Sequence, residues 1–235
     1  MKKILSASIA SLAFCALPLA SAHAQAPYEG TATLAMITAA DSDTNTVTVN
    51  MKGGKTEIDI DAGVQGLIKL YPDFKKHSMK IALMSQKSGQ EVPLQDPSTS
   101  TLKVDLKPLG KKETIAGFSA EAYSLSIPEA DFTLWATADM PKNLRTEFQS
   151  ALAPIMQDDK NIGAALKQLG EKNLVPIKVE IAPKGVPDQN ATIVFLKAEP
   201  KKMADAIFDL PKDVKFKSPG APGQPPPAND GGAPH

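Results

Sequence analysis

The residues that could do chemistry are few and poorly placed for it. The chain carries three histidines, His23, His77 and His235. His77 stands beside Lys75 and Lys76 and reads as a surface residue. The carboxylate pairs Asp158-Asp159 and Glu129/Asp131 lie in expected turns, where solvation rather than general acid–base work is their natural state. Asp41-Ser42-Asp43-Thr44-Asn45 opens like a calcium loop, but Thr46 stands where that loop needs glycine and Lys52 where it needs glutamate. It is read as a polar hairpin turn. There is no His-x-x-x-His or His/Cys cluster for a metal, no Gly-x-Ser-x-Gly elbow and no phosphate-binding glycine loop. The expectation is a non-enzymatic chain with no metal and no cofactor.

The N-terminus reads as an export signal. Lys2-Lys3 precede an uncharged apolar run from Ile4 to Leu19, and Ala22-His23-Ala24 is a small-x-small cleavage site. The run is too short to span a bilayer, so residues 1–24 are assigned as a cleaved signal peptide and the chain as periplasmic, not membrane-spanning. Leu12-Ala13-Phe14-Cys15 loosely resembles a lipoprotein box, but Phe14 stands where a small residue belongs, which argues against an outer-membrane lipoprotein. Cys15 is the only cysteine, so the mature chain would hold no disulfide and depend on its core. Twenty-six basic and 26 acidic residues become 24 and 26 once Lys2 and Lys3 are removed, a formal charge of −2. That balance gives no reason to expect nucleic acid.

The elements that must position any site are mostly strands. Tyr123, Leu125 and Ile127 alternate with Ala122, Ser124 and Ser126, and Phe132, Leu134 and Ala136 alternate with Thr133, Trp135 and Thr137. With Pro128–Asp131 between them, two strands pair around the only tryptophan, Trp135. Gly117, just upstream, marks a bulge or sharp bend. Gly30–Thr38, Thr46–Met51 and Lys55–Asp61 form a meander with a turn at Gly53-Gly54, and Gly66–Tyr71, Met79–Met84 and Leu102–Leu106 continue it. Pro72, Pro93 and Pro97 are placed in loops.

After Met140 the period changes. Leu144, Phe148, Leu152 and Ile155 recur at helical spacing behind Pro141, with Pro154 expected to kink or end the helix near its C-terminus. A second helix carries Ile162, Leu166 and Leu169, with Gly170 as its stop. Leu174–Pro183 and Ala191–Ala198 are two further strands; Ile193–Leu196 is apolar throughout and is expected to be covered on both sides. A helical turn falls in Lys201–Leu210. Residues 25–217 are one domain, and the Pro/Gly-rich 218–235 is a disordered tail. The fold class is α+β and β-rich: a curved, mostly antiparallel sheet with helices on it.

Glu113-Thr114-Ile115-Ala116-Gly117, the spacing to Tyr123, and Leu134-Trp135-Ala136-Thr137-Ala138-Asp139 resemble the central motif of an exported bacterial family, the domain of unknown function DUF4412. Ala204–Pro211 resembles its closing acidic-aromatic-leucine-proline segment. The matching pieces cover about a third of the mature chain. The resemblance implies the half-barrel of the periplasmic lipoprotein carriers (LolA- and LolB-like): a strongly curved, open antiparallel sheet with helices plugging its concave side, which in those relatives holds acyl chains. It implies a binding or carrier protein for a lipid, lipoprotein acyl chain or other hydrophobic ligand. Met36, Ile60, Met79, Ile81, Val104 and Leu106 on strands, Tyr123 and Trp135 at the sheet's centre, and Phe148, Leu152 and Ile155 on the helix are the cavity candidates. Assigning them by alternation depends on register, because a slip of one residue reverses a strand's faces. The other reading is a cell-envelope interaction module that docks another protein and takes no small ligand.

Overall fold

The alternation seen in the sequence becomes register in a computed structural model of the chain, which describes residues 26–39, 44–94, 102–152 and 160–217. The first six strands are β1 (Glu29–Thr38), β2 (Thr44–Lys52), β3 (Lys55–Asp61), β4 (Leu67–Asp73), β5 (Ser78–Leu83) and β6 (Ser88–Pro93). They form an antiparallel meander. Their pairing aligns Leu34, Val47, Ile60, Ile68 and Leu83 in one row, and Val49, Ile58, Leu70 and Ile81 in the next. Rows of facing β-branched and leucine side chains are what hold such ladders together.

A second meander follows: β7 (Lys107–Ile115), β8 (Phe118–Ser126), β9 (Ala130–Thr137), β10 (Val175–Pro183) and β11 (Ala191–Pro200). It runs inward from the far edge, and β11 pairs with β1. β12 (Lys215–Lys217) returns to the opposite edge and pairs parallel with β6. Gly89 makes that docking possible, because a Cβ there would lie 2.6 Å from the Phe216 ring. The result is one unclosed twelve-stranded sheet of order β12-β6-β5-β4-β3-β2-β1-β11-β10-β9-β8-β7, an open half-barrel.

Helix α1 (Lys142–Leu152) and helix α2 (Lys160–Glu171) lie between β9 and β10 in the chain. They serve different cores. Phe148 and Leu152 of α1 join the core of Leu34, Val49, Ile58 and Trp135, where Phe148 meets Phe195 edge-on at 5.3 Å. Ala165, Leu166 and Leu169 of α2 join Tyr123, Leu125, Phe132 and Leu134. The alternation of β8 and β9 therefore supplies both: Ala122 and Trp135, paired across the strands, belong to the first core, and Tyr123 and Leu134 to the second.

Several expectations change. Leu102–Leu106 is not a strand; Leu106 N–H bonds Val104 O, Gln168 Nε2 donates to Val104 O, and pairing starts only at Lys107. Pro72 lies within β4, opposite Met79. Gly170 lies inside α2, and the left-handed residue that stops the helix is Asn173, φ 57°, two positions past Glu171. There the Asn173 and Leu174 amides bond Gly170 O and Leu169 O, the double bond of a left-handed helix stop. Leu196, expected to be covered, is about half exposed because it is the extra residue of a bulge. β6 and β12 had no alternation to announce them. Pro154 and the Asp41–Asp43 part of the polar hairpin turn lie outside the described residues.

The bend expected near Gly117 is the two-residue hairpin Ala116-Gly117, with φ of 50° and 86°, between the paired Ile115 and Phe118. Both residues are left-handed, a geometry that suits Asn-Gly and strains alanine. Ala116→Asn should raise stability by about 0.5–1 kcal/mol, measured as a higher urea midpoint at unchanged m-value. A lower midpoint would contradict this turn geometry.

Candidate functional site

The cleft begins where two strands part. β10 and β11 pair over only four positions, Lys178–Ile181 against Val194–Ala191. Just beyond that ladder each strand carries a bulge, Ile177 in β10 against β9 and Leu196 in β11 against β1. Bulges add twist and end regular pairing. Between the parting strands, β1 and the last residue of α1, Leu152, lies an apolar cleft with a cavity of about 50 Å³. Leu34, Met36, Val47, Ile60 and Ile193 line it from the sheet.

Of the sequence candidates, Met36, Ile60 and Leu152 line this cleft. Phe148, Trp135, Met79 and Ile81 belong to the same core without lining it. Val104, Leu106 and Tyr123 sit in the second core, with α2, so the structure separates them from the cleft. Ile155 lies outside the described residues. Tyr123 donates to Glu121 Oε2 at 3.2 Å with Lys172 over its ring, a structural setting. Reading the sequence missed Leu34, Val47, Ile193 and the four β10 residues Pro176, Ile177, Lys178 and Val179. For Leu34 and Val47 the signal was available, as both share a face with chosen neighbours; Lys178 is turned to the cleft by a bulge that no sequence pattern marks.

Lys178 is the polar group at the cleft. Its ammonium bonds Glu180 at 2.9 Å and Glu113 at 3.2 Å and stands 5.1 Å over the Trp135 ring. Burial pulls its pKa down, but the two carboxylate bonds outweigh burial and hold it above the ordinary lysine value. Trp135 is 9 % exposed, and its Nε1–H finds no acceptor among the described residues.

A second, polar cluster lies on β2–β4. The Glu57 side chain is fully buried, accepts from Asn50 Nδ2 at 2.6 Å and bonds Lys69 Nζ at 2.6 Å. Lys69 also bonds Asp59 at 2.6 Å. Residues 201–214 cross beside it, anchored by Met203, whose amide donates to Glu29 Oε1 and whose carbonyl accepts from Lys52. An open groove of about 570 Å³ runs between Asp59, Lys69 and Tyr71 and Ile207, Leu210 and Pro211. Among the described residues no group of three or more His, Cys, Asp or Glu could hold a metal ion, and no helix is long and apolar enough to cross a membrane.

The model of the family described as "Domain of unknown function (DUF4412)" matches residues 28–214, and the chain belongs to that family. No curated protein matches it. Among solved structures, it is similar to an uncharacterized conserved protein from Thermus thermophilus, at 9% identity and TM-score 0.48 over 81% of this chain and 91% of that one. MucB in complex with MucA(peri) is similar at 12% identity and TM-score 0.40, over 79% of this chain and 55% of that one. The LolA superfamily protein NE2245 from Nitrosomonas europaea is similar at 13% identity and TM-score 0.33, over 78% of this chain and 90% of that one.

Burial, then the bond to Asp59, pushes the Glu57 carboxyl up to about 7, against the pull of Lys69 and Asn50. A carboxyl whose pKa rises on folding binds more protons folded than unfolded between the two values, so stability falls as pH rises from 4.5 to 7. Lys69 is also raised, but its loss of stability falls at alkaline pH and leaves this window alone. Urea unfolding should lose roughly 1–3 kcal/mol across that window in the wild type relative to Glu57→Gln. Parallel pH profiles for the two proteins would refute the raised carboxyl.

Proposed function

We propose that this chain is an exported, non-enzymatic binding or carrier protein for a lipid or other hydrophobic ligand in the periplasm. The observation that carries this reading is the cleft itself. Its sheet wall is made of Leu34, Met36, Val47, Ile60 and Ile193, and its outer wall is the end of a short helix rather than another strand. Apolar side chains that stand around unfilled space offer an apolar guest burial, with Lys178 as the polar residue on the lining.

Size sets a condition on the mechanism. The free space of about 50 Å³ is far below the ~300–1,000 Å³ of ordinary ligand sites. An acyl chain enters only if Leu152 and the end of α1 swing away from β10. α1 is held chiefly by Leu144, Phe148, Ala151 and Leu152, so the movement exchanges those contacts for contacts with the guest. Carriage then needs no chemistry, only a guest that replaces helix side chains against the same sheet.

Native mass spectrometry of the protein purified from the periplasm without detergent tests the reading. An added mass that extracts into organic solvent is expected. A clean mass that stays unchanged after incubation with lipid extract would overturn it in favour of a protein-docking module. Ile60→Trp, which puts an indole into the cleft, should reduce retained lipid at least tenfold while the protein stays folded by circular dichroism. Undiminished retention would place the ligand elsewhere.

A further inference from the structure

We infer that Asn190 is the acceptor for an N-linked glycan, transferred to its carboxamide nitrogen from a lipid-pyrophosphate-linked oligosaccharide. Of the chain's asparagines, Asn190 alone is followed two residues later by a serine or threonine, Thr192, with Ala191 rather than proline between them. Asp188 stands two residues before it, so the stretch reads Asp-x-Asn-x-Thr, and its carboxylate gives a transferase a fixed charge to bind beside the asparagine. The inference rests on the reading of the chain as exported, since such acceptors belong to surface loops of secreted chains.

The fold puts this stretch where an acceptor must be. Asp188, Gln189 and Asn190 are exposed at the end of the β10–β11 connection, residues 184–190. The Asn190 carbonyl accepts from the Ala39 amide at 2.7 Å, while its carboxamide has no hydrogen bond among the described residues. The backbone is held and the side chain is free, so a glycan on it extends into solvent and displaces no core residue. Side chains two apart along an extended chain point to the same side, which lets one enzyme hold the threonine hydroxyl and the asparagine together. In the folded sheet Thr192 is half-buried and pairs with Ile37 on one side and Glu180 on the other. Transfer therefore falls on the newly exported chain, before β11 is paired, and Asn190 stays outside once the sheet forms. In the step, the carboxamide nitrogen bonds to the anomeric carbon of the first sugar as that carbon's bond to the pyrophosphate oxygen breaks. The lipid pyrophosphate leaves with the electron pair, and the nitrogen gives up one proton to a carboxylate of the transferase. An amide nitrogen shares its lone pair with the carbonyl, so the step needs that enzyme and not a group of this chain.

The full exported chain, purified from the envelope of its own host, would be weighed by mass spectrometry under denaturing conditions. These strip any lipid from the cleft and leave a covalent glycan in place, so the cleft reading stands or falls separately. The expected mass exceeds that of the chain beginning at Gln25 by a whole number of sugar residues, with the addition on the peptide that holds Asn190. Asn190→Gln and Thr192→Val should each abolish the addition, and Asp188→Asn should reduce it several-fold. Two of these changes fall in the exposed loop, and valine suits the strand position of Thr192. A bare mature mass overturns the inference, as does an addition that survives Asn190→Gln or is unchanged by Thr192→Val or Asp188→Asn. A mass that still includes residues 1–24 overturns the export on which it rests. The wild-type mass and peptide map do not depend on how well any variant folds.

Discussion

The four-pair ladder between β10 and β11 is the joint on which the molecule depends. On one side of it stand β7 to β10, and on the other β11, the meander β1–β6 and β12. Among the described residues no other strand pairing connects the two parts. A ladder this short gives few backbone bonds, so the side chains around it must do much of the joining. Phe195 does so from β11, packed against Phe148 of α1 and 6.1 Å from Phe118 of β8. Helix α1 thus clamps the two halves of the sheet through Phe148, and its last residue, Leu152, lines the cleft. The helix that joins the two halves also borders the cleft.

The bulges at Ile177 and Leu196 explain why the joint is short and why the cleft lies there. One extra residue in each strand ends regular pairing at Lys178 opposite Val194. A closed, fully paired sheet would have filled the space. At ~24 cal/mol per Å³, an empty 50 Å³ costs about 1 kcal/mol, a tolerable fraction of a domain's stability. The continuous row of Leu34, Val47, Ile60 and Ile68 supplies much of the sheet wall on which that cavity rests.

The parts of this arrangement that were legible in the sequence are those set by local period. Val47, Val49 and Met51 alternate, and β2 follows; Leu144, Phe148 and Leu152 recur at helical spacing, and α1 follows. Met36, Ile60 and Leu152 were found as cleft residues because each lies on the apolar side of a regular element. The illegible parts are set by non-local geometry. Val104 and Leu106 alternate like a strand, yet they pack as an irregular segment beneath α2. β6, with Val92 as its one large apolar residue besides a terminal proline, is a strand because β5 offers it an edge. Tyr123 and Trp135 were grouped by their motif, but adjacent strands with apolar residues on both faces send one to each core.

Two ionic clusters of the sheet follow one electrostatic rule, with different results. Glu57, Asp59 and Lys69 on β3 and β4, and Lys178, Glu113 and Glu180 around β10, each hold one ammonium between two carboxylates. In the first, the fully buried carboxylate takes the strain, and its pKa rises. In the second, both carboxylates keep contact with water, and burial falls on the lysine, whose ammonium stands over the Trp135 ring. A buried carboxylate can neutralise by taking a proton, so the first cluster responds to pH near neutrality. A lysine with its pKa held up stays charged there.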